Sequence, residues 1–199
     1  EVATLAHAGA KLSYYAGMNE NRISYYKELL TLLVDEKWDY VIFQEQTTGS
    51  IEHFEDLTAP AVEKLQYTVK LFQPQATMLL YMNAAFSDGK LITVNGTPRL
   101  LTTGEMELYL AAAFKELENR FGVESVMVGM HSYRINTLYP EINLVRADAR
   151  HPTYTGYYLA ACCFYNRIYG TVPNPLKATL TNCNITKDQL LAVSVLPAD

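Results

Sequence analysis

The sequence predicts an α/β protein built as a three-layer α/β/α sandwich, with helices on both faces of a parallel sheet. Three observations carry this. Short apolar runs of strand length recur at 1–8, 40–43, 77–82 and 125–128, and segments of helical periodicity at 22–36, 58–72 and 104–120 separate them. Strands that alternate with helices connect as β-α-β units, whose crossovers place successive strands parallel. The runs at 40–43 and 77–82 are nearly continuous rather than alternating, the pattern of strands covered on both faces.

Each element has its own local reason. Residues 1–8 read as a strand stopped by Gly9, and 13–21 as a polar, aromatic loop. The stretch 22–36 places Ile23, Tyr26, Leu29, Leu30 and Leu33 at helical spacing. Trp38 anchors the start of the strand at 40–43, which runs out into the polar Gln44-Glu45-Gln46-Thr47-Thr48-Gly49. Thr58 is the expected N-cap of the helix 58–72, Pro60 stands in its first turn, and Pro74 ends it. After the strand 77–82, the turn dipeptides Asp88-Gly89 and Asn95-Gly96 flank Leu91–Val94, which predicts a small hairpin or lid-like insertion at 86–101. A long amphipathic helix at 104–120 leads to the strand at 125–128 and a short helix at 131–138. A helix over 154–168 is closed by Gly170, and 186–193 predicts a last short helix.

With 199 residues, 49% hydrophobic and 19% charged, the chain predicts a single domain over 1–199 with a sizeable core. A net charge of −5 without a basic run speaks against a nucleic-acid surface. No apolar stretch approaches the roughly 20 residues that span a bilayer. Cys162, Cys163 and Cys183 lack the spaced partners of a metal site, so no metal and no cofactor is implied. Adjacent Cys162 and Cys163 read as small core residues of a helix.

One stretch carries chemistry. Asp148-Ala149-Arg150-His151-Pro152-Thr153 puts an aspartate three residues before a histidine on a loop. A turn brings i and i+3 to one side, so the Asp148 carboxylate can accept the Nδ1 proton of His151. That leaves Nε2 as a general base. In open α/β sheets ligands bind beyond the carboxyl ends of the strands. Three polar patches are expected there: Ala8-Gly9-Ala10, Gln44-Glu45-Gln46, and the Asp148/His151 loop. His131 follows a strand end and is a candidate to line the cleft. Tyr14 and Tyr15, just past Gly9, are candidate substrate contacts. His7 and His53 read as ordinary histidines. Asn95-Gly96-Thr97 and Asn184-Ile185-Thr186 match a glycosylation pattern too common to weigh.

Trp38-Asp39-Tyr40-Val41-Ile42-Phe43-Gln44-Glu45-Gln46, and Asp148 through Ala161 with its His-Pro-Thr-x-x-Gly-x-Tyr-Leu-Ala-Ala ending, resemble the SGNH (GDSL-like) hydrolase superfamily, and most its bacterial members with these two segments. The resemblance covers nearly the whole chain in order. It implies a flavodoxin-like sheet and acyl-ester hydrolysis by Ser, His and Asp, with His151 and Asp148 as the catalytic pair. It implies that the Gly9 N–H helps form the oxyanion hole. Where the family supplies an Asn to the same hole, this chain has the Gln44–Gln46 loop. Gln46 is the expected donor; Gln44 and Glu45 compete with it for that role and are candidate substrate contacts.

The family's nucleophile lies in a Gly-Asp-Ser or Gly-Asn-Ser block after a first, central strand. No such block occurs here, and the chain opens directly at the second strand. The expectation is therefore an upstream segment of roughly 25–40 residues holding a strand, its loop and a helix. Without it, the strands at 1–8 and 40–43 would lack the partner between them, and the gap must be filled by that segment, by another chain or by a rearranged order. Among internal serines, Ser13, Ser24, Ser50, Ser87, Ser125 and Ser132, none stands on a Gly-flanked strand–helix elbow; Ser50 follows Gly49 at a strand end.

Three functions compete. One is an acyl-ester hydrolase, with acetyl esters of carbohydrates the substrate class the resemblance implies and an extracytoplasmic (periplasmic or secreted) location with it. Another is a non-catalytic carbohydrate-binding or scaffold protein on the same fold. The last, a flavodoxin-like nucleotide or flavin binder, lacks a Gly-rich phosphate loop. A small-molecule or carbohydrate ester is the expected partner, with no nucleic acid and no membrane span.

Overall fold

In chain order the helices and strands are α1 (Leu12–Tyr15), α2 (Ile23–Asp35), β1 (Tyr40–Gln44), α3 (Gly49–Glu52), α4 (Ala59–Phe72), β2 (Thr77–Tyr81), β3 (Lys90–Val94), β4 (Thr97–Leu101), α5 (Thr103–Phe121), β5 (Glu124–Val126), α6 (Val128–Leu138), α7 (Tyr154–Tyr169) and α8 (Lys187–Val195). They come from a computed structural model that describes residues 1–174 and 186–195. Cys183 and Asn184-Ile185 lie outside the described residues.

The fold is α/β. The main sheet has the order β1-β2-β5, and β1 and β2 pair in parallel with Tyr40 opposite Thr77 and Gln44 opposite Tyr81. β3 and β4 form the separate two-stranded hairpin that the Asp-Gly and Asn-Gly turns predicted, with Asn95 and Gly96 both at positive φ. The residues pack as two compact units. The first comprises Glu1–Met82, Ile92–Arg99 and Ala112–Ser125; the second comprises Asn83–Leu91, Leu100–Ala111 and the described residues from Val126 on.

In the first unit, Leu29 and Leu33 of α2, Leu65 and Val69 of α4, and Leu79 and Leu80 of β2 are buried. Gln73 sets the angle at which the chain enters β1. Its amide donates to Glu36 O at 2.7 Å and to Leu33 O, and its oxygen accepts the Trp38 N–H at 3.0 Å. These bonds satisfy carbonyls that the end of α2 would otherwise leave open. Trp38 is half-buried and donates its indole N–H to Leu32 O at 2.8 Å.

In the second unit, Met106 and Leu110 of α5, Ile135 of α6 and Leu159 of α7 are buried. The Thr153 hydroxyl caps α7 by accepting the Gly156 N–H at 3.2 Å, and Gly170 closes it in the left-handed conformation, φ 65°.

Four expectations need correction. Residues 1–8 form no strand. Strand conformation is held by pairing, and this segment meets no ladder; it is fixed instead through His7, whose N–H donates to the Tyr15 hydroxyl at 3.1 Å. Next, β1 is not covered on both faces. Phe43 is buried, but Tyr40 is 37% and Ile42 45% exposed, so the face made by 40, 42 and 44 meets solvent. β1 is the edge of the described sheet, which is why. Further, Thr58 does not cap α4, because a π turn over Phe54–Thr58 runs straight into that helix. Finally, Ile23 is exposed, leaving Leu29 and Leu33 as the buried stripe of α2.

Candidate functional site

The Asp148 loop is built from its base upward. Val145 and Pro152 form an antiparallel bridge, the Thr153 N–H donates to Leu144 O at 2.9 Å, and the Thr153 hydroxyl donates to Asn143 O at 2.8 Å. Gly156 is required here by close approach. A Cβ at that position would collide with Leu144 O and reach within 2.9 Å of the Pro152 ring. Above this base the Arg146 N–H donates to His151 O at 2.8 Å, and Ala149 turns the chain at φ 61°. That is a left-handed conformation uncommon outside glycine.

The turn delivers the pair. Asp148 Oδ1 accepts the backbone N–H groups of Arg150 and His151, each at 2.9 Å, and Oδ2 lies 2.8 Å from His151 Nδ1. The His151 amide, its ring and then the Arg150 amide hold the Asp148 carboxyl well below the usual carboxylate range. An ionised Asp148 fixes the proton on Nδ1 and leaves Nε2 as the basic atom. Among the described residues His151 Nε2 has no partner, and the side chain is 68% exposed. The arrangement can take a proton from a group brought to Nε2 and stabilise the imidazolium that results.

The second polar patch lies in the other compact unit. Gly9 sits at φ 68° in a turn closed by the Ala10 N–H to His7 O at 3.1 Å, and a Cβ there would meet open space. Its N–H donates to no group among the described residues. The turn is braced by aromatics: the His7 ring stacks on Tyr25 with centroids 3.8 Å apart, and Nε2 lies 2.9 Å from Glu28 Oε2. Tyr15 therefore holds this turn through its hydroxyl, while Tyr14 is half-buried with its ring edge toward Tyr25.

In Gln44-Glu45-Gln46 the members divide. Glu45 is 4% exposed, and its carboxylate accepts the Gln46 N–H at 2.6 Å and the Leu12 N–H at 3.3 Å. Burial pushes its carboxyl up, while those two backbone donors pull it back. It clamps the loop to the first turn of α1. Gln44 and Gln46 are exposed, and among the described residues their side-chain amides have no partner, so each has a donor to offer. Ser50 is 2% exposed, and its hydroxyl finds no partner among the described residues.

His131 lies in the first turn of α6, which starts at Val128, and is half-buried. His53 lies 3.2 Å from Asp56 on the surface. Cys162 and Cys163 are buried free thiols, the latter pushed up to about 12 by burial.

One chemically notable residue escaped the sequence reading. Glu107 of α5 is 2% exposed and accepts the Ala85 N–H at 2.7 Å through Oε1, while Oε2 is buried without a partner. Burial pushes its carboxyl up to about 7. The signal was present: Glu107 falls on the helix face marked by Met106, Leu110, Phe114 and Leu117, where a carboxylate has no surface to reach.

No family model matches the chain, and no curated protein does. Among solved structures it is similar to a DUF4886 family protein from Bacteroides uniformis (TM-score 0.66, 18% identity), with 85% of this chain aligned. It is also similar to a protein from Slackia heliotrinireducens described as a candidate SGNH hydrolase (TM-score 0.62, 23% identity), with 80% of this chain aligned. The chain spans 64% of the length of the first and 80% of the second. At these identities the likeness is one of fold alone.

Proposed function

We propose that this chain carries the base and oxyanion side of an acyl-ester hydrolase of the SGNH type. The observation that carries the reading is Asp148 Oδ2 at 2.8 Å from His151 Nδ1, with Nε2 unpaired and open to solvent. In this reading a serine attacks the ester carbonyl and gives its proton to His151 Nε2. The imidazolium, stabilised by Asp148, then returns that proton to the leaving alcohol, and water repeats the sequence on the acyl-enzyme. The unpaired Gly9 N–H and the Gln46 amide are the donors for the oxyanion, each worth about 3 kcal/mol of transition-state stabilisation. Gln44, Tyr14 and Tyr15 are offered as neighbours of the substrate, which the family likeness suggests is an acetylated carbohydrate.

The serine belongs to none of the six internal candidates in this reading. It enters on a strand that pairs along the open edge of β1, whose outward face exposes Tyr40 and Ile42. An edge of this kind is an available template for one more strand. The test is hydrolysis of an aryl acetate by a form of the protein that includes such a Gly-Asp-Ser or Gly-Asn-Ser strand, alongside residues 1–199 alone. Turnover by the former only is the expected result; turnover by neither rejects the enzyme.

A second reading, a non-catalytic carbohydrate-binding protein, is favoured by one observation: the sequence contains no Gly-flanked serine elbow. Glycan binding without ester cleavage in the strand-containing form would select it.

A further inference from the structure

The apex of the Asp148–His151 loop, Ala149 and Arg150, is exposed or half-buried, so little packing surrounds it. It is tied to the segment that follows β2. The Ser87 N–H donates to Ala149 O at 3.0 Å, and the Arg150 guanidinium lies over the Phe86 ring, 5.2 Å from its centroid. Phe86 and Ser87 are in turn held at two points on α5. The Thr103 hydroxyl donates to Phe86 O at 2.9 Å, and Glu107 Oε1 accepts the Ala85 N–H at 2.7 Å. A continuous path of short contacts thus joins a buried carboxyl to the residue that turns the chain at φ 61° immediately after Asp148.

From this geometry we infer that Glu107 is a positioning residue for the Asp148–His151 pair, acting through Ala85, Phe86 and Ser87.

The surroundings of Glu107 fit a single fixed acceptor. Its second oxygen has no partner, and a Cβ on Gly129 would come within 2.7 Å of that oxygen and 2.6 Å of Asn83 O. Only glycine at 129 leaves room for both. The raised carboxyl value has the same origin: one backbone donor offsets little of the burial. A neutral acid still accepts from Ala85 through its carbonyl oxygen, so the tie survives on either side of neutrality. An amide can do the same, whereas an alkyl side chain leaves the Ala85 N–H buried and unpaired.

The inference rests on reading Asp148–His151 as the catalytic pair, but its test does not need catalysis. The readout is the neutral tautomer of the His151 ring, taken from its two 15N chemical shifts. In wild type the Asp148 contact should hold the proton on Nδ1. Glu107→Leu should move the proton to Nε2, the form an unheld imidazole favours, and Glu107→Gln should keep it on Nδ1. Thr103→Val, which removes the other tie on Phe86, should shift the population the same way by less, and it serves as the deciding variant if Glu107→Leu does not fold. Either variant, folded and with the wild-type tautomer, overturns the inference. If the tautomer moves as expected in a protein that never cleaves an ester, the positioning role stands and only the hydrolase reading falls.

Discussion

The two polar loops are built in opposite ways. In Gln44-Glu45-Gln46 the carboxylate points inward, accepts two backbone donors and has its carboxyl pushed up by burial, and the loop shows solvent only neutral amides. In Asp148–His151 the carboxylate stays outside, accepts two backbone donors and a ring nitrogen, and is driven the other way. Both loops spend an acid on organising their own backbone. The difference lies in what remains exposed: side-chain amides in one, an imidazole nitrogen in the other. Burial decides which, because an unpaired charge is tolerated in water and penalised in the interior.

The sharpest way to break the comparison is to remove the base. In an active form of the protein, His151→Ala should lower ester turnover by about 10³–10⁴-fold, in the range seen when one member of such a triad is lost. The thermal midpoint should barely move, because the side chain is 68% exposed. Steady-state kinetics beside a melting curve checks both halves.

The matching change in the other loop should act on stability. Glu45→Leu leaves the N–H groups of Leu12 and Gln46 without their acceptor, at about 1–3 kcal/mol for each one that stays buried. Urea unfolding should show a loss of about 2–4 kcal/mol. A loss near zero would mean that water replaces the carboxylate.

The buried acids also set a pH dependence opposite in sign to that of Asp148. The folded-state value of Glu107, about 7, lies above the unfolded value of about 4.3. The native state therefore holds the extra proton between those values, and stability falls as pH rises through that window. The loss is on the order of 3–4 kcal/mol and should be absent in Glu107→Gln, measured as the urea midpoint from pH 4 to 8. For Asp148 the contribution is present above the unfolded carboxylate value and disappears only as pH falls below the usual carboxylate range.

A smaller effect tests the base of the loop. Gly156→Ala forces a Cβ onto Leu144 O and the Pro152 ring, an overpacking expected to cost about 1–3 kcal/mol. Gly9→Ala, with open space at its Cβ, should cost only about 1 kcal/mol for its left-handed backbone. Urea unfolding of the two variants side by side checks the order.

What was legible in the sequence follows from how local each signal was. The β1 and β2 runs, the Asn95-Gly96 hairpin, the Gly170 end of α7 and the Asp148/His151 spacing are set by neighbouring residues, and they read correctly as structure. The opening segment did not. Residues 1–8 have strand-like composition, but strand formation depends on a distant partner that composition does not report. Glu45 and Gln46 look alike as polar loop residues, and only the fold turns one inward. Glu107 was hidden by an assumption, that a carboxylate on an amphipathic helix faces water, although the apolar residues around it marked the inner face.

In the proposed mechanism His151 serves a serine from outside these 199 residues, entering along β1. Labelling with an aryl phosphonate, which traps only an activated serine, tests it most directly. In the strand-containing form, mass spectrometry of the labelled peptides should place the phosphonate on the Gly-Asp-Ser or Gly-Asn-Ser serine, and His151→Ala should abolish the label. A label on Ser50, Ser87 or another serine within residues 1–199, or one that persists in His151→Ala, would contradict it.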